Sequence, residues 1–170
     1  MIYPIVKYGD PVLEKAAATI TAFDEELKKL VEDMFESMYA ARGVGLAAPQ
    51  IGISKRIAVV DVTFKEDPNA KLVLINPEIL SKEGRQRSSE GCLSIPDLRG
   101  EVPRFKQVRV QALGRKAEPL DFVATDFHAR VIQHETDHLK GEVYLDRMPN
   151  MRSLSHLAEW QRYLLPRSPK

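Results

Sequence analysis

Two hydrophobic periods divide the chain. Over residues 24–42, Leu27, Leu30, Val31, Met34, Phe35 and Met38 recur three and four positions apart. That spacing puts them on one face of a helix. Glu25 and Glu26 suit its positive end, and Gly43 is a natural stop. The middle of the chain changes to strand character. Residues 56–62 and 72–75 are β-branched and apolar, and residues 107–113 alternate as a half-exposed strand does. Helical spacing returns over residues 125–139. A third helix is expected after Pro149 and Asn150, with Leu154, Leu157, Leu164 and Leu165 on one side. Near the start, Asp10-Pro-Val-Leu-Glu14 suits a short helix with Asp10 as cap and Pro11 in its first turn. A long helix, several strands and closing helices predict an α+β fold with a mostly antiparallel sheet.

Composition narrows the class. The 170 residues suit one domain spanning positions 1–170, and 44% apolar content suits a globule with its own core. With 25 basic and 24 acidic side chains, net charge is +1. Nothing there draws the whole molecule to an anionic membrane or to nucleic acid, and no direct sequence-specific nucleic-acid binding is expected. One cysteine excludes an intramolecular disulfide and suits a reducing compartment. The first residues lack the apolar run of a signal peptide, and no stretch is apolar enough to span a bilayer. A soluble, cytoplasmic protein is the expectation.

The chemistry concentrates in His134-Glu135-Thr-Asp-His138. On a helix, residues four apart share a face, so both imidazoles can reach one ion. Glu135 is one step round the cylinder and can reach a water on that ion without ligating it. Phe127 and Val131 continue the same stripe at offsets of seven and three before His134. They read either as core or as the wall of an apolar pocket beside the ion.

Two histidines need a partner. The three-histidine extension H-E-x-x-H-x-x-G-x-x-H is met at Gly141 but broken at Tyr144. Glu159, on a later helix, is one candidate. Cys92, in Glu90-Gly-Cys-Leu-Ser-Ile-Pro96, is another. A thiolate binds zinc or ferrous iron strongly, although a lone cysteine also serves as a small buried hydrophobe. On chemistry alone both candidates stand. A glycine-rich segment, Gly43-Val-Gly-Leu-Ala-Ala-Pro-Gln-Ile-Gly52, follows the first long helix. It lacks the G-K-[ST] of a phosphate loop. Gln50 there either polarises a substrate carbonyl or faces solvent from a tight turn.

Taken together, Gly43–Gly52, Glu90-Gly-Cys-Leu-Ser94 and Gln133-His-Glu-Thr-Asp-His138 resemble the three motifs of the peptide deformylase family, in the same order and spacing. The resemblance spans nearly the whole chain. It implies antiparallel sheets packed around a central H-E-x-x-H helix, with a long N-terminal helix and a C-terminal one. It implies metal ligation by Cys92, His134 and His138, with ferrous iron as the usual physiological metal and zinc, nickel or cobalt able to replace it. The implied substrates are nascent polypeptides that begin with N-formylmethionine. Glu135 would act as acid/base, Gln50 and the Leu93 N–H would meet the oxyanion, and Val44, Gly45, Phe127 and Val131 would receive the substrate. The runner-up is a zinc endopeptidase with Glu159 as third ligand. Four further readings concern single residues. Asp137 pairs with Arg104 or another cation, or is solvated. His128 and His156 are surface or packing residues. Arg99 is a candidate to hold peptide. Arg152, Arg162, Arg167 and Lys170 are candidates for ribosome contact.

Overall fold

The computed structural model describes residues 1–149 and 154–156. Two helices and eight strands lie along them. The order is α1 (Glu25–Ala40), β1 (Gly45–Ala47), β2 (Ile57–Val60), β3 (Leu72–Glu83), β4 (Gln86–Cys92), β5 (Ile95–Arg104), β6 (Gln107–Leu113), β7 (Pro119–Thr125), α2 (Asp126–Leu139) and β8 (Ser155–His156). Short 3-10 turns occupy Pro11–Glu14, Ala48–Ile51 and Tyr144–Arg147. Strands β1-β2-β3-β6-β7 form one sheet and β4-β5-β8 a smaller one, with antiparallel pairing throughout both.

The large sheet is covered on both faces, and side-chain alternation shows how. Successive residues of a strand point to opposite faces. Ile57, Val59, Val73 and Ile75 join the α1 residues Leu27, Val31, Met34 and Met38 in one core. Val60, Leu72 and Leu74 join Ala129, Val131 and Ile132 of α2 in another. That two-sided burial explains why β2 reads as continuous apolar sequence rather than alternating. The second helix has the sheet on one side and the β4–β5 hairpin on the other. Every residue from Ala129 to Leu139 is buried, including its charged ones.

Both long helices end where expected within two residues, and each ends in the same way. At the end of α1, the Arg42 N–H donates to the Tyr39 carbonyl and the Gly43 N–H to the Met38 carbonyl. At the end of α2, Gly141 N–H donates to His138 and Glu142 N–H to Asp137. These are Schellman pairs, which need a left-handed residue at the first position past the cap. That residue is Gly141 in α2, at φ 82, but Arg42 in α1, at φ 58. Gly43, the expected stop, lies one position later. Three strands were not anticipated: β4, β5 and β7 carry many polar residues on exposed faces. The first 3-10 turn agrees with the short helix expected at Asp10, whose side chain accepts from the Val12 N–H. The helix expected after Asn150 falls outside the described residues, apart from Ser155–His156, which pair with Leu98 and Arg99 of β5 as a short strand.

Gly141 is also where the end of α2 meets the N-terminal segment. A Cβ there would sit 2.6 Å from the Glu14 carbonyl oxygen and 2.7 Å from its carbon. Both atoms are backbone, so neither can swing aside. Gly141→Ala should therefore cost more than the ~1–2 kcal/mol of left-handed strain alone. Gly9→Ala is the control, because Gly9 has φ +104 and nothing within 4 Å of the added carbon. Thermal midpoints should fall by several degrees for Gly141→Ala and by clearly less for Gly9→Ala. Equal shifts would remove the packing role.

Candidate metal centre and substrate cleft

The two histidines project from the middle and end of α2, one turn apart. Their Nε2 atoms are 3.3 Å from each other, and the Cys92 sulfur is 3.3 Å from His138 Nε2. The three ligand atoms lie within 4.8 Å of one another. A tetrahedral ion with bonds of about 2.0 Å to nitrogen and 2.3 Å to sulfur needs ligand separations of roughly 3.3–3.6 Å. The donor set fits such an ion. Cys92 arrives from the end of β4, just before the turn into β5, so the third donor comes from the hairpin that covers α2. Glu159 lies outside the described residues.

A charged layer beneath the cleft sets the orientation of His134. Glu90, two residues before Cys92, takes the His134 Nδ1–H at 2.8 Å. This leaves the Nε2 lone pair facing Cys92 and His138, the usual arrangement behind a metal-binding imidazole. Arg104 donates to both Glu90 oxygens at 2.9 Å and to Asp137 at 2.6 Å, and Arg130 also donates to Glu90. Arg147 closes the layer with two bonds to Asp137. Burial pushes the Glu90 carboxyl up, but the bonds from Arg104 and His134 outweigh it and hold it well below the usual range. Burial likewise pushes His134 down, yet hydrogen bonds to Cys92 and Glu90 leave its pKa well raised. The surroundings thus favour positive charge at His134 Nε2, whether a proton or a metal ion. Burial, and then the charge of His134, push His138 well down, which suits a neutral ligand.

In front of this layer opens a cleft of about 520 Å³. Val44, Gly45, Gln50, Cys92, Leu93, Phe127, Val131, His134 and Glu135 all line it. The α2 stripe descends through it. Phe127 is 53% exposed at the mouth, Val131 is 7% exposed, and His138 at 0% is sealed behind. Of the two readings of that stripe, the structure puts Phe127 and Val131 on the cleft wall, and Val131 belongs to the core as well.

Glu135 is buried, and burial pushes its carboxyl up to about 7. Its Oε2 has no hydrogen-bond partner among the described residues. Gly45 makes room for it, because a Cβ there would lie 2.9 Å from Glu135 Oε1 and 3.0 Å from Val131. Gln50 does not face solvent. It is 1% exposed, and its Oε1 accepts the Ala47 N–H at 3.0 Å. That bond fixes the amide's orientation, so its NH₂ turns toward Cys92 Sγ at 3.6 Å and Ser94 Oγ at 3.3 Å.

Several residues of the site were missed by sequence reasoning. Glu90 was visible only as the first letter of a motif. Ser94 was likewise visible only as the last letter of that motif. Arg130 precedes His134 by one helical turn, which was an available signal; Arg147 gave none. The Asp137–Arg104 pair, one of the options for Asp137, is present. His128 packs on Phe122 at 6.3 Å, away from the ligands. Arg99 lines the cleft while bonding Ser89. The basic residues Arg152, Arg162, Arg167 and Lys170 lie outside the described residues.

Comparison with known proteins agrees with this geometry. A family profile described as polypeptide deformylase matches residues 2–153. A peptide deformylase of Acidobacterium capsulatum is 50% identical over 169 residues, covering 94% of this chain and 99% of that protein. The crystal structure of a peptide deformylase from Legionella pneumophila superposes with a TM-score of 0.85 at 37% identity, over 99% of this chain and 100% of that one. A Met-Ala-Ser-bound class I type b peptide deformylase of Acinetobacter baumannii gives 0.81 at 36% identity, over 87% and 99%. With a family profile over nearly its full length, close relatives of matching length and a shared fold, the chain belongs to the polypeptide deformylase family.

Proposed function

We propose that residues 1–170 act as one catalytic domain in which the Cys92, His134 and His138 cluster and the Gln50–Glu135 pair carry out deformylation. As a peptide deformylase, the chain removes the N-terminal formyl group of nascent polypeptides that begin with formylmethionine, and releases formate. The observation that carries the assignment of the site is the convergence of one cysteine sulfur and two imidazoles, within 4.8 Å, beside a buried carboxyl whose Oε2 has no partner among the described residues. Cys92, His134 and His138 would hold one divalent ion, ferrous iron in the cell, with zinc, nickel or cobalt as substitutes. Bound there, the ion supplies Lewis acidity and lowers the pKa of a water to near neutrality.

The chain's own residues do the rest. Glu135 takes the proton of the attacking water at its unpartnered Oε2. Its raised pKa suits it to hold that proton and then pass it to the departing amine. The Gln50 amide and the Leu93 N–H donate to the oxygen that gains charge at the formyl carbon. Val44, Phe127 and Val131 receive the methionine side chain, and Gly45 lets the substrate backbone lie close to Glu135. The Acinetobacter relative has Met-Ala-Ser bound, a peptide with methionine first. The endopeptidase alternative is not favoured, since the chain matches deformylases over nearly its whole length. No helix among the described residues is long and apolar enough to cross a membrane. Cytoplasmic action, with the basic C-terminal residues touching the ribosome, completes the proposal.

Three outcomes test it. Cys92→Ala should lose tight metal binding while Glu159→Ala retains it; stoichiometric metal in purified Cys92→Ala would remove the thiolate from the ligand set. Glu135→Ala should keep the metal and lose roughly 10²–10⁴-fold in turnover, and Gln50→Ala on the order of 10²-fold. Near-normal turnover in the Glu135 variant would contradict its role. One metal-loaded preparation should release formate quickly from formyl-Met peptides and much more slowly from formyl-Asp peptides. It should act little on acetyl-Met peptides or unblocked chains. Cleavage of internal peptide bonds at a comparable rate would overturn the reading in favour of an endopeptidase.

A further inference from the structure

Arg42 occupies a position that its own backbone does not favour. It is the left-handed residue that closes α1, at φ 58, where glycine is the usual choice because a Cβ crowds the following carbonyl. The equivalent position of α2 is indeed glycine, Gly141. Arginine at this point carries a steric cost that glycine would avoid. The side chain is exposed and lines the cleft, and it takes part in no ion pair or side-chain hydrogen bond among the described residues.

The position along the cleft matters as much as the charge. Gly45 marks the catalytic end of this wall, against Glu135. Arg42 lies three residues away, at the open end. An extended chain advances ~3.3 Å per residue, so a substrate strand along this wall reaches Arg42 two or three residues after its first. Across the cleft, the Arg99 guanidinium is tied to Ser89 and lies over Gly91. Asp97 is the one exposed carboxylate among the lining residues, and it partly offsets these two cations. Deeper in, the Glu90 carboxylate is held by Arg104, Arg130 and His134 and adds no free negative charge. Among the described residues lining the mouth, two arginines face one exposed carboxylate, and Arg42 takes part in no ion pair.

We propose that Arg42 is a specificity-determining residue that favours nascent chains with aspartate or glutamate at the second position after the formylmethionine. This rests on the deformylase reading of the cleft. An exposed ion pair is weak, so the preference is modest and appears in KM rather than kcat.

The test uses the metal-loaded enzyme and three peptide amides: formyl-Met-Ala-Glu, formyl-Met-Ala-Ala and formyl-Met-Ala-Lys. Amides remove the terminal carboxylate as a competing charge. Formate release should show a Glu-to-Lys ratio in kcat/KM of roughly two- to tenfold at low salt. The ratio should approach one near ~1 M salt, where the Debye length is about 3 Å. Arg42→Glu should invert it. Arg42→Gly should abolish it without lowering the thermal midpoint, because glycine suits the left-handed cap. Ratios within one variant cancel any change in metal content or folded fraction. A wild-type ratio near one, or a ratio unchanged in both Arg42 variants, overturns the proposal while leaving deformylase activity intact. Absence of formate release from all three peptides overturns the deformylase reading, and this inference with it.

Discussion

The site depends on one buried carboxylate. Glu90 sits two residues before Cys92 on β4 and receives His134, Arg104 and Arg130. Through it, a hairpin and a helix that are 44 residues apart in sequence are held at one distance. Ligands borne by separate elements can meet only if those elements are fixed relative to one another. Apolar packing does that poorly here, because the face of α2 toward the hairpin carries Arg130, His134 and Asp137. Buried charges of this kind are costly unless each is paired. In this layer Arg104 spans Glu90 and Asp137, and Arg147 completes Asp137 from the segment that follows the helix. The charges therefore specify one seating of the hairpin on the helix rather than merely tolerating it.

The other walls follow from packing. Gly45 can approach Glu135 because α1 and α2 grip opposite faces of the same sheet, whose edge strand β1 carries it. The Ala48–Ile51 turn then buries Gln50, and one bond from the Ala47 N–H decides which end of the amide faces the cleft. Thus Glu135 and the Gln50 amide are held on helical turns packed in the core, and the exposed side chains Phe127 and Arg42 sit at the rim of the cleft.

Much of this was legible in the sequence, and the reason is local periodicity. The face of α1, the two-sided apolar run of β2 and the His134–His138 spacing each depend on neighbours within one or two turns. So does the alternation of residues 107–113, which form β6 with those bounds. What escaped was non-local. Strands β4 and β5 have polar exposed faces, and their pairing is set by each other rather than by an apolar pattern. The role of Glu90 depends on Arg104, 14 positions away, and on Arg130, 40 away, and no spacing rule links them. The choice between Cys92 and Glu159 was open for the same reason. Burial of Gln50 is a tertiary outcome, whereas a glycine-rich segment by itself suits a solvent-facing turn equally well. The αL cap at Arg42 was missed because Gly43, one residue later, is the better local candidate.

The central claim is that Glu90 brings the hairpin's thiolate to the two imidazoles of α2, giving a site with one sulfur and two nitrogens. X-ray absorption at the metal edge of the cobalt- or zinc-loaded protein reads that donor set directly. The account predicts one sulfur at ~2.3 Å and two imidazole nitrogens at ~2.0 Å. In a Glu90→Gln variant it predicts the same donors with greater spread or lower occupancy. A first coordination sphere of nitrogen and oxygen alone in the unaltered protein would contradict it.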